Sequence, residues 1–264
     1  MSNEREAFVT ALITDDYLPG VLALEKSLRE TCSHSLFVLA SRNLDVSTYA
    51  SMRRCGITYD VADDISVDTE VFAKIDDIYS HWKNTLFKFR VFELIQFDKI
   101  VFIDSDIMII EAIDDLFDWP DMSATIAGGS YPGNESWQNL CSGLFVAEPR
   151  IGIVEKLISF VPAVSKKNQN FGDQDVLMDY FSDWAQNESL HLPASYNVFF
   201  DHYHYYIKNG GVKALHFIGK EKPWMIPMWK VPLVYLRCAI KGNASAIRLL
   251  MRYRKSLKAV RWIE

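Results

Sequence analysis

Asp104-Ser105-Asp106 closes the apolar run Lys99-Ile100-Val101-Phe102-Ile103, and Ile107-Met108-Ile109-Ile110 follows at once. Two carboxylates therefore stand at the carboxyl end of a segment that reads as a buried strand, where open α/β sheets hold their ligands. On an extended segment, residues two apart point to one side. Such a pair can grip one hard cation. Oxygen ligands suit Mg2+ or Mn2+, which bridge readily to phosphates. A solvated turn is the other reading, since Asp-x-Asp is common.

The second chemically loaded stretch is His216-Phe217-Ile218-Gly219-Lys220-Glu221-Lys222-Pro223-Trp224. An imidazole can complete a cation site begun by two carboxylates. Gly219 lets backbone approach a ligand closely. Lys220 and Lys222 offer point charges for phosphate, and Trp224 a face for packing. Taken alone, His216 could simply end a strand begun at Val212. The two motifs together favour one metal–diphosphate site, because such a site needs both.

The order of motifs carries a resemblance. Phe8-Val9-Thr10-Ala11-Leu12 is followed by Tyr17, Lys88, Asp104-Ser105-Asp106, Ser142-Gly143-Leu144-Phe145-Val146, Gly172-Asp173-Gln174 and the stretch from His216 to Trp224. In these residues, from about position 7 to position 226, the chain resembles glycosyltransferase family 8, the glycogenin-like retaining enzymes that use nucleotide sugars. The resemblance implies an α/β protein with a single Rossmann-like GT-A domain and a mostly parallel central sheet. It implies transfer of a hexose (glucose, galactose or a related sugar) from a UDP-sugar, with Mn2+ (or Mg2+) and retention at the anomeric carbon. The acceptor would be a hydroxyl of a glycan, glycolipid or polyol. Carried over by position, Asp104, Asp106 and His216 would hold the metal. Lys222 would contact the diphosphate, with Gly219 giving close approach. Ala11, Thr14 and Tyr17 would surround uracil and ribose, and Ser105 and Ser142 would line the donor pocket. Lys88 would contact the sugar, and Asp173 and Gln174 would lie at its reacting face. Two positions depart from the family pattern. Cys141 stands where an Asn is usual, and Asn170-Phe171 replaces an aspartate before Gly-Asp-Gln. The tyrosine that glycogenin glucosylates has no secure counterpart, although Tyr203, Tyr205 and Tyr206 lie in the right region.

The elements that must position these residues alternate. Residues 8–13, 36–40, 57–61 and 99–103 read as strands, and 124–127 and 143–147 as later ones. Residues 20–32, 47–55, 151–161 and a segment from 173 to 181 read as helices. Trp82, Leu86, Phe89 and Phe92 make a helical stripe ahead of the metal strand. Strand–helix alternation means a mostly parallel sheet. Residues 131–140 form a polar loop that either merely connects or shapes an acceptor pocket. His202 and His204 alternate with tyrosines and fit an aromatic surface loop better than a metal site, which would need further ligands.

Bulk properties agree with such an enzyme. A chain of 264 residues with 49% hydrophobic content can build one sizeable core. Its net charge of −6 argues against general nucleic-acid binding. Cys32, Cys55, Cys141 and Cys238 lack metal-type spacing and read as reduced thiols. The polar start Met1-Ser2-Asn3-Glu4 does not read as a signal peptide. A cytoplasmic location follows as the expectation, with a homodimer left open.

Residues 237–264 differ from the transferase domain expected over 1–236. They hold eight basic residues and one acid. Ile247, Leu250, Leu257 and Val260 fall at helical intervals beside Arg248, Arg252, Lys255 and Lys258. This is a basic amphipathic helix. It either lies peripherally on the inner face of an anionic membrane or docks on the domain with its charges in water. Three other functions stand beside this reading. A nucleotidylyltransferase would want a basic Gly-rich first loop, and Thr14-Asp15-Asp16-Tyr17-Leu18-Pro19-Gly20 is acidic. A non-catalytic binding or scaffold protein could have lost its metal ligands, and this chain keeps all three. A self-glucosylating primer of the glycogenin kind remains the third.

Overall fold

The apolar run near the amino terminus becomes β1 (Glu6–Leu12), with Phe8, Val9 and Leu12 wholly buried. The computed structural model describes residues 5–67, 72, 77–219, 222–233, 247, 248, 250, 251, 253 and 254. After β1 come α1 (Leu18–Thr31), β2 (Leu36–Ser41), α2 (Val46–Arg54) and β3 (Thr58–Ala62). Residues Asp77–Glu93 form a 3-10 helix and lead into β4 (Lys99–Ile103). Then follow β5 (Ile107–Ile109), β6 (Ala124–Ile126), β7 (Leu140–Ala147), α3 (Ile153–Lys167) and α4 (Asp173–Tyr180). The short β8 (Val198–Phe199), α5 (Tyr203–Tyr206) and β9 (Ala214–His216) complete the described strands.

Among the described residues, six strands form one sheet in the order β3-β2-β1-β4-β7-β6. The β3/β2, β2/β1 and β1/β4 pairs are parallel, and β4/β7 and β6/β7 are antiparallel. The chain runs outward from β1 to β3, then returns to the other side of β1 as β4. The loops leaving β1 and β4 therefore diverge. That reversal opens a crevice at the carboxyl ends of the two strands, where a ligand can sit.

Alternate residues of the central strands feed two cores. Phe8, Val101, Ile103 and Leu144 join Val21, Leu24 and Leu28 of α1 and Met52 of α2 on one face. Val9, Phe102 and Phe145 join the 3-10 helix, α3 and α4 on the other. A strand covered on both faces must be apolar at every position, so its sequence shows runs rather than alternation. Leu86, Phe89 and Phe92 recur every three residues, and three residues per turn stack them along one buried line. The stripe read as helical is thus of the tighter kind.

One helix runs longer than expected. α3 continues through Pro162 to Lys167 rather than ending at residue 161. Proline removes one helical hydrogen bond, but Val161 and Val164 are buried on either side of it, and that packing carries the helix onward.

The boundary expected at residues 236/237 falls outside the described residues. Of the basic segment, Ile247, Arg248, Leu250, Met251, Tyr253 and Arg254 are described, all helical. Leu250 and Tyr253 are buried in a third apolar cluster with Tyr203, Tyr206, Leu215 and Phe217. Arg252, Lys255, Leu257, Lys258 and Val260 lie outside the described residues. Among the described residues no helix is long and apolar enough to cross a membrane.

Candidate active site

Asp104 leaves the end of β4, and its amide donates to the Gly143 carbonyl at 2.7 Å, tying the strand end to β7. The Ile107 amide donates to the Asp104 carbonyl at 3.0 Å. Asp104-Ser105-Asp106 is therefore a tight turn between β4 and β5. This corrects the sequence reading in one respect: a turn, not the alternation of an extended strand, brings the two carboxylates together. β5 pairs antiparallel with β9 in a second, three-stranded sheet, with Ile107 opposite His216. The Phe217 amide donates to the Asp106 carbonyl at 3.0 Å. His216 thus ends a strand, as the simpler reading has it, and also faces the two carboxylates. Ligand atoms of Asp104, Asp106 and His216 all lie within 4.8 Å of one another.

These residues fit a divalent cation. His216 Nδ1 donates to Asn197 Oδ1 at 3.0 Å. That bond orients the ring with Nε2 toward Asp106 Oδ1 at 3.2 Å, and Nε2 becomes available to a cation when it gives up its proton. Two carboxylate oxygens and one imidazole nitrogen suit a borderline-hard ion such as Mn2+. The cradle is also shaped for its contents. A Cβ on Gly143 would stand 2.5 Å from His216 Cε1 and 3.2 Å from Asp104 Oδ2, so β7 passes behind the cluster only as glycine.

The two carboxylates have unlike neighbours. Asp104 keeps 30% of its side-chain surface open and meets Lys88 Nζ at 3.0 Å. Lys88 also contacts Asp173 Oδ2 at 2.8 Å and donates to the Ser142 carbonyl at 2.9 Å. Asp106 is buried and lies 2.5 Å from Lys222 Nζ, which also donates to the Phe217 carbonyl at 3.1 Å. Burial pushes the Asp104 carboxyl up to about 6, and the Lys88 ammonium offsets this only in part. Burial acts on Asp106 too, but His216 and then Lys222 outweigh it and hold that carboxyl well below the usual range. Burial alone would lower His216; Asp106 reverses the sign and raises it to about 10. Burial would raise Asp173, yet Lys88 holds it down as a carboxylate. Burial, then Asp106, Asp16 and Asp104, push the Tyr17 phenol up to about 12.

A cavity of about 780 Å³ opens over this cluster. Asp104, Ser105, Asp106, His216, Lys88, Ser142 and Asp173 line it. Ala11, Thr14 and Tyr17, from the end of β1 and the loop after it, line it as well, and Gly219 and Lys222 also border it. Gly219 has φ +99°, a backbone conformation that favours glycine. Gln174 is not among the lining residues; its Oε1 accepts from the Ser142 amide at 3.4 Å, one step behind the wall.

Sequence reasoning missed three residues. Asn197 orients His216, and Thr85 Oγ1 accepts from the Asp173 amide at 3.1 Å. Thr85 lies one 3-10 turn before Lys88, so both point to the cavity. Gly143 was read only as part of a motif. The first two are held by partners distant in sequence, so local pattern carried no signal for them. His202 and His204 contribute to no metal-type cluster among the described residues. Tyr131 and His202 stack with ring centroids 3.8 Å apart, but the segment expected as a surface loop is a 3-10 turn followed by α5, with Tyr203 and Tyr206 buried.

A family profile described as Glycosyl transferase family 8 matches residues 8–226. The chain belongs to glycosyl transferase family 8. Within reach of this membership, Glycogenin-1 of Mus musculus is 31% identical over 232 residues, covering 83% of this chain. UDP-glucuronate:xylan alpha-glucuronosyltransferase 2 of Arabidopsis thaliana is 28% identical over 240 residues, covering 84% of the chain. The chain spans 65% of the length of the first and 36% of the second. Among solved structures, the fold is like that of the galactosyltransferase LgtC in complex with donor and acceptor sugar analogues. That likeness has a TM-score of 0.63 at 15% identity and covers 96% of both chains. The apo-form glycosyltransferase GlyE of Streptococcus pneumoniae TIGR4 gives a TM-score of 0.57 at 18% identity, covering 96% of this chain and 64% of that one. This is the Rossmann-like α/β sheet expected of the family.

Proposed function

We propose that this family 8 member transfers a hexose from a UDP-sugar to a hydroxyl of a carbohydrate, glycolipid or polyol, with Mn2+ or Mg2+ and with retention at the anomeric carbon. One observation supports this above others: Asp104, Asp106 and His216 converge beside Lys88 and Lys222 under a cavity of about 780 Å³. Asp104, Asp106 and His216 are the residues to hold the metal, which when bound would neutralise charge developing on the departing diphosphate. Lys222, now paired with Asp106, would add a second positive centre beside the diphosphate. Ala11, Thr14 and Tyr17 serve the uridine; Ser105, Ser142 and Gly219 shape the pocket around the donor. Lys88 orients Asp173 and faces the sugar, with Gln174 behind. The 2.8 Å ion pair with Lys88 occupies Asp173 and favours front-face attack over a covalent intermediate on Asp173. The acceptor oxygen bonds to the anomeric carbon, the bond from that carbon to the phosphate oxygen breaks, and the acceptor proton passes to that phosphate oxygen.

Self-glucosylation in the manner of glycogenin is the second reading. Tyr203 and Tyr206 are each only 6% exposed, which disfavours them as targets. A cytoplasmic location and a peripheral contact with an anionic membrane are finer proposals. Arg248 and Met251 are exposed while Leu250 and Tyr253 pack inward, so any such contact would be mainly electrostatic. Flotation with phosphatidylglycerol vesicles at low and high salt tests it; absence of binding at low salt rejects it.

The activity is tested by incubation with UDP-glucose, UDP-galactose and UDP-glucuronate plus Mn2+, reading free UDP. Release from at least one donor, abolished by chelator, is expected. No release from any donor with any carbohydrate acceptor supplied contradicts the proposal, and intact mass identifies self-glucosylation as a ladder of added hexoses.

A further inference from the structure

Lys222 sits on a short turn that has little internal structure. The Met225 amide donates to the Lys222 carbonyl at 2.9 Å. Two other parts of the chain hold this turn. On one side, Trp224 Nε1 donates to the Asp16 carbonyl at 2.9 Å, and the indole meets the Tyr17 ring edge-on at 5.5 Å. A Cβ on Gly20 would stand 2.7 Å from the Trp224 ring, so the contact is close-packed. On the other side stand two residues of the carboxyl-terminal segment. Arg254 Nη1 donates to the carbonyls of Pro223 and Ile226 at 3.4 Å each, bracketing the turn. Tyr253 is 1% exposed and stacks on Trp224 at 6.2 Å. The same ring packs at 5.1 Å on Phe217, whose carbonyl accepts from Lys222.

We propose that Tyr253 and Arg254 are positioning residues of the donor site: the carboxyl-terminal segment latches the turn 222–226 and thereby aims Lys222 at the diphosphate. Both residues lie beyond the span that the family profile matches, which ends at residue 226. Neither lines the cavity, so they act on it through the turn and through Phe217, on which Tyr253 also packs. The contacts explain why an aromatic and an arginine occur there. A flat ring covers the indole face that the Asp16–Tyr17 side leaves open. One nitrogen of the guanidinium reaches both carbonyls, and that group stays charged in any surroundings. Trp224 becomes the wedge between the first loop of the fold and its last described helix. Ligand binding at Lys222 and docking of the segment are then coupled, each favouring the other.

The diphosphate part rests on the donor reading above, so two readouts are needed. Hydrogen exchange at the Met225 amide reports the turn without any ligand. Calorimetry of UDP with Mn2+ reports the aim of Lys222. Arg254→Ala and Tyr253→Ala should speed Met225 exchange about tenfold while β1 amides keep the parent's protection, which separates a loosened turn from general unfolding. Each should weaken UDP binding about tenfold, on the scale of a lost charge-assisted hydrogen bond. In a Lys222→Ala background the same changes should cost less than about twofold, because the group they position is gone. Tyr253→Phe, which keeps the ring, should behave as the parent. Parent-like Met225 exchange in both alanine variants overturns the latch. So does a full, additive loss of affinity in the Lys222→Ala background. A parent protein that binds no UDP with Mn2+ contradicts the donor reading instead, and the Met225 exchange then decides the latch alone.

Discussion

The two carboxylates of the candidate cation site are built on opposite terms, although they stand only two residues apart. Asp104 faces the cavity, and burial outweighs Lys88 to push its carboxyl up to about 6. Asp106 also borders the cavity but is more deeply buried, and His216 and then Lys222 outweigh burial to hold its carboxyl well below the usual range. Burial dominates at one carboxyl, and neighbouring positive charge dominates at the other. The difference separates function from stability. Asp104 is poised for a cation, while Asp106 also holds the turn, β9 and Lys222 together.

Substitutions should split along that line. Asp106→Ala leaves the buried Lys222 ammonium without its carboxylate, and removing one partner of a buried pair costs about 3 kcal/mol. Denaturant unfolding checks this, and Mn2+ binding should be lost as well. Asp104→Asn should change unfolding by less than about 1 kcal/mol, or even stabilise, while abolishing Mn2+ binding too. Equal destabilisation by the two changes would break the comparison.

Gly143→Ala tests the shared wall. Its Cβ must displace His216 and Asp104, so Mn2+ affinity should fall by well over about tenfold with the sheet intact by circular dichroism. Asn197→Ala should act more mildly, by about tenfold, because it frees the ring to turn without moving the backbone.

The pH dependence sharpens the contrast further. Metal ligands must be deprotonated, so protons compete with the cation. Between pH 6 and 8 His216, raised to about 10, must release one proton, and Mn2+ affinity should rise about tenfold per unit. Below about 6 Asp104 must release a second, and the dependence should steepen. Without metal the sign for stability reverses at Asp104. Its folded value lies above the ordinary 3.8, so its contribution is present below that value and is lost as pH rises through about 6. Titration calorimetry in buffers of differing ionisation enthalpy reads the released protons.

The order of strands and helices was legible because central parallel strands are apolar throughout and the long helices carry clear stripes. The pairing of β5 with β9 was not. Three-residue strands have no periodicity, and only the juxtaposition of Ile107 with His216 reveals them. The identities of Asp104, Asp106 and His216 were legible from ordered motifs, but the contrast between the carboxylates was not. It comes from Lys88, Asp173, Asn197 and Lys222, which reach the site from four separate segments. Sequence reading treated the two aspartates as one pair gripping a cation, with no difference between them. The tail was half legible: its basic stripe is plain in sequence, while the burial of Tyr253 against Phe217 depends on the folded domain.

The central claim is that one cation, held by Asp104, Asp106 and His216, is shared with the diphosphate of a UDP-sugar. Calorimetric titration of UDP into the protein with Mn2+ and with chelator tests this most directly. The account predicts binding at least about a hundredfold tighter with Mn2+, abolished in Asp104→Asn. UDP affinity that is unchanged by chelator, or retained in Asp104→Asn, would contradict it.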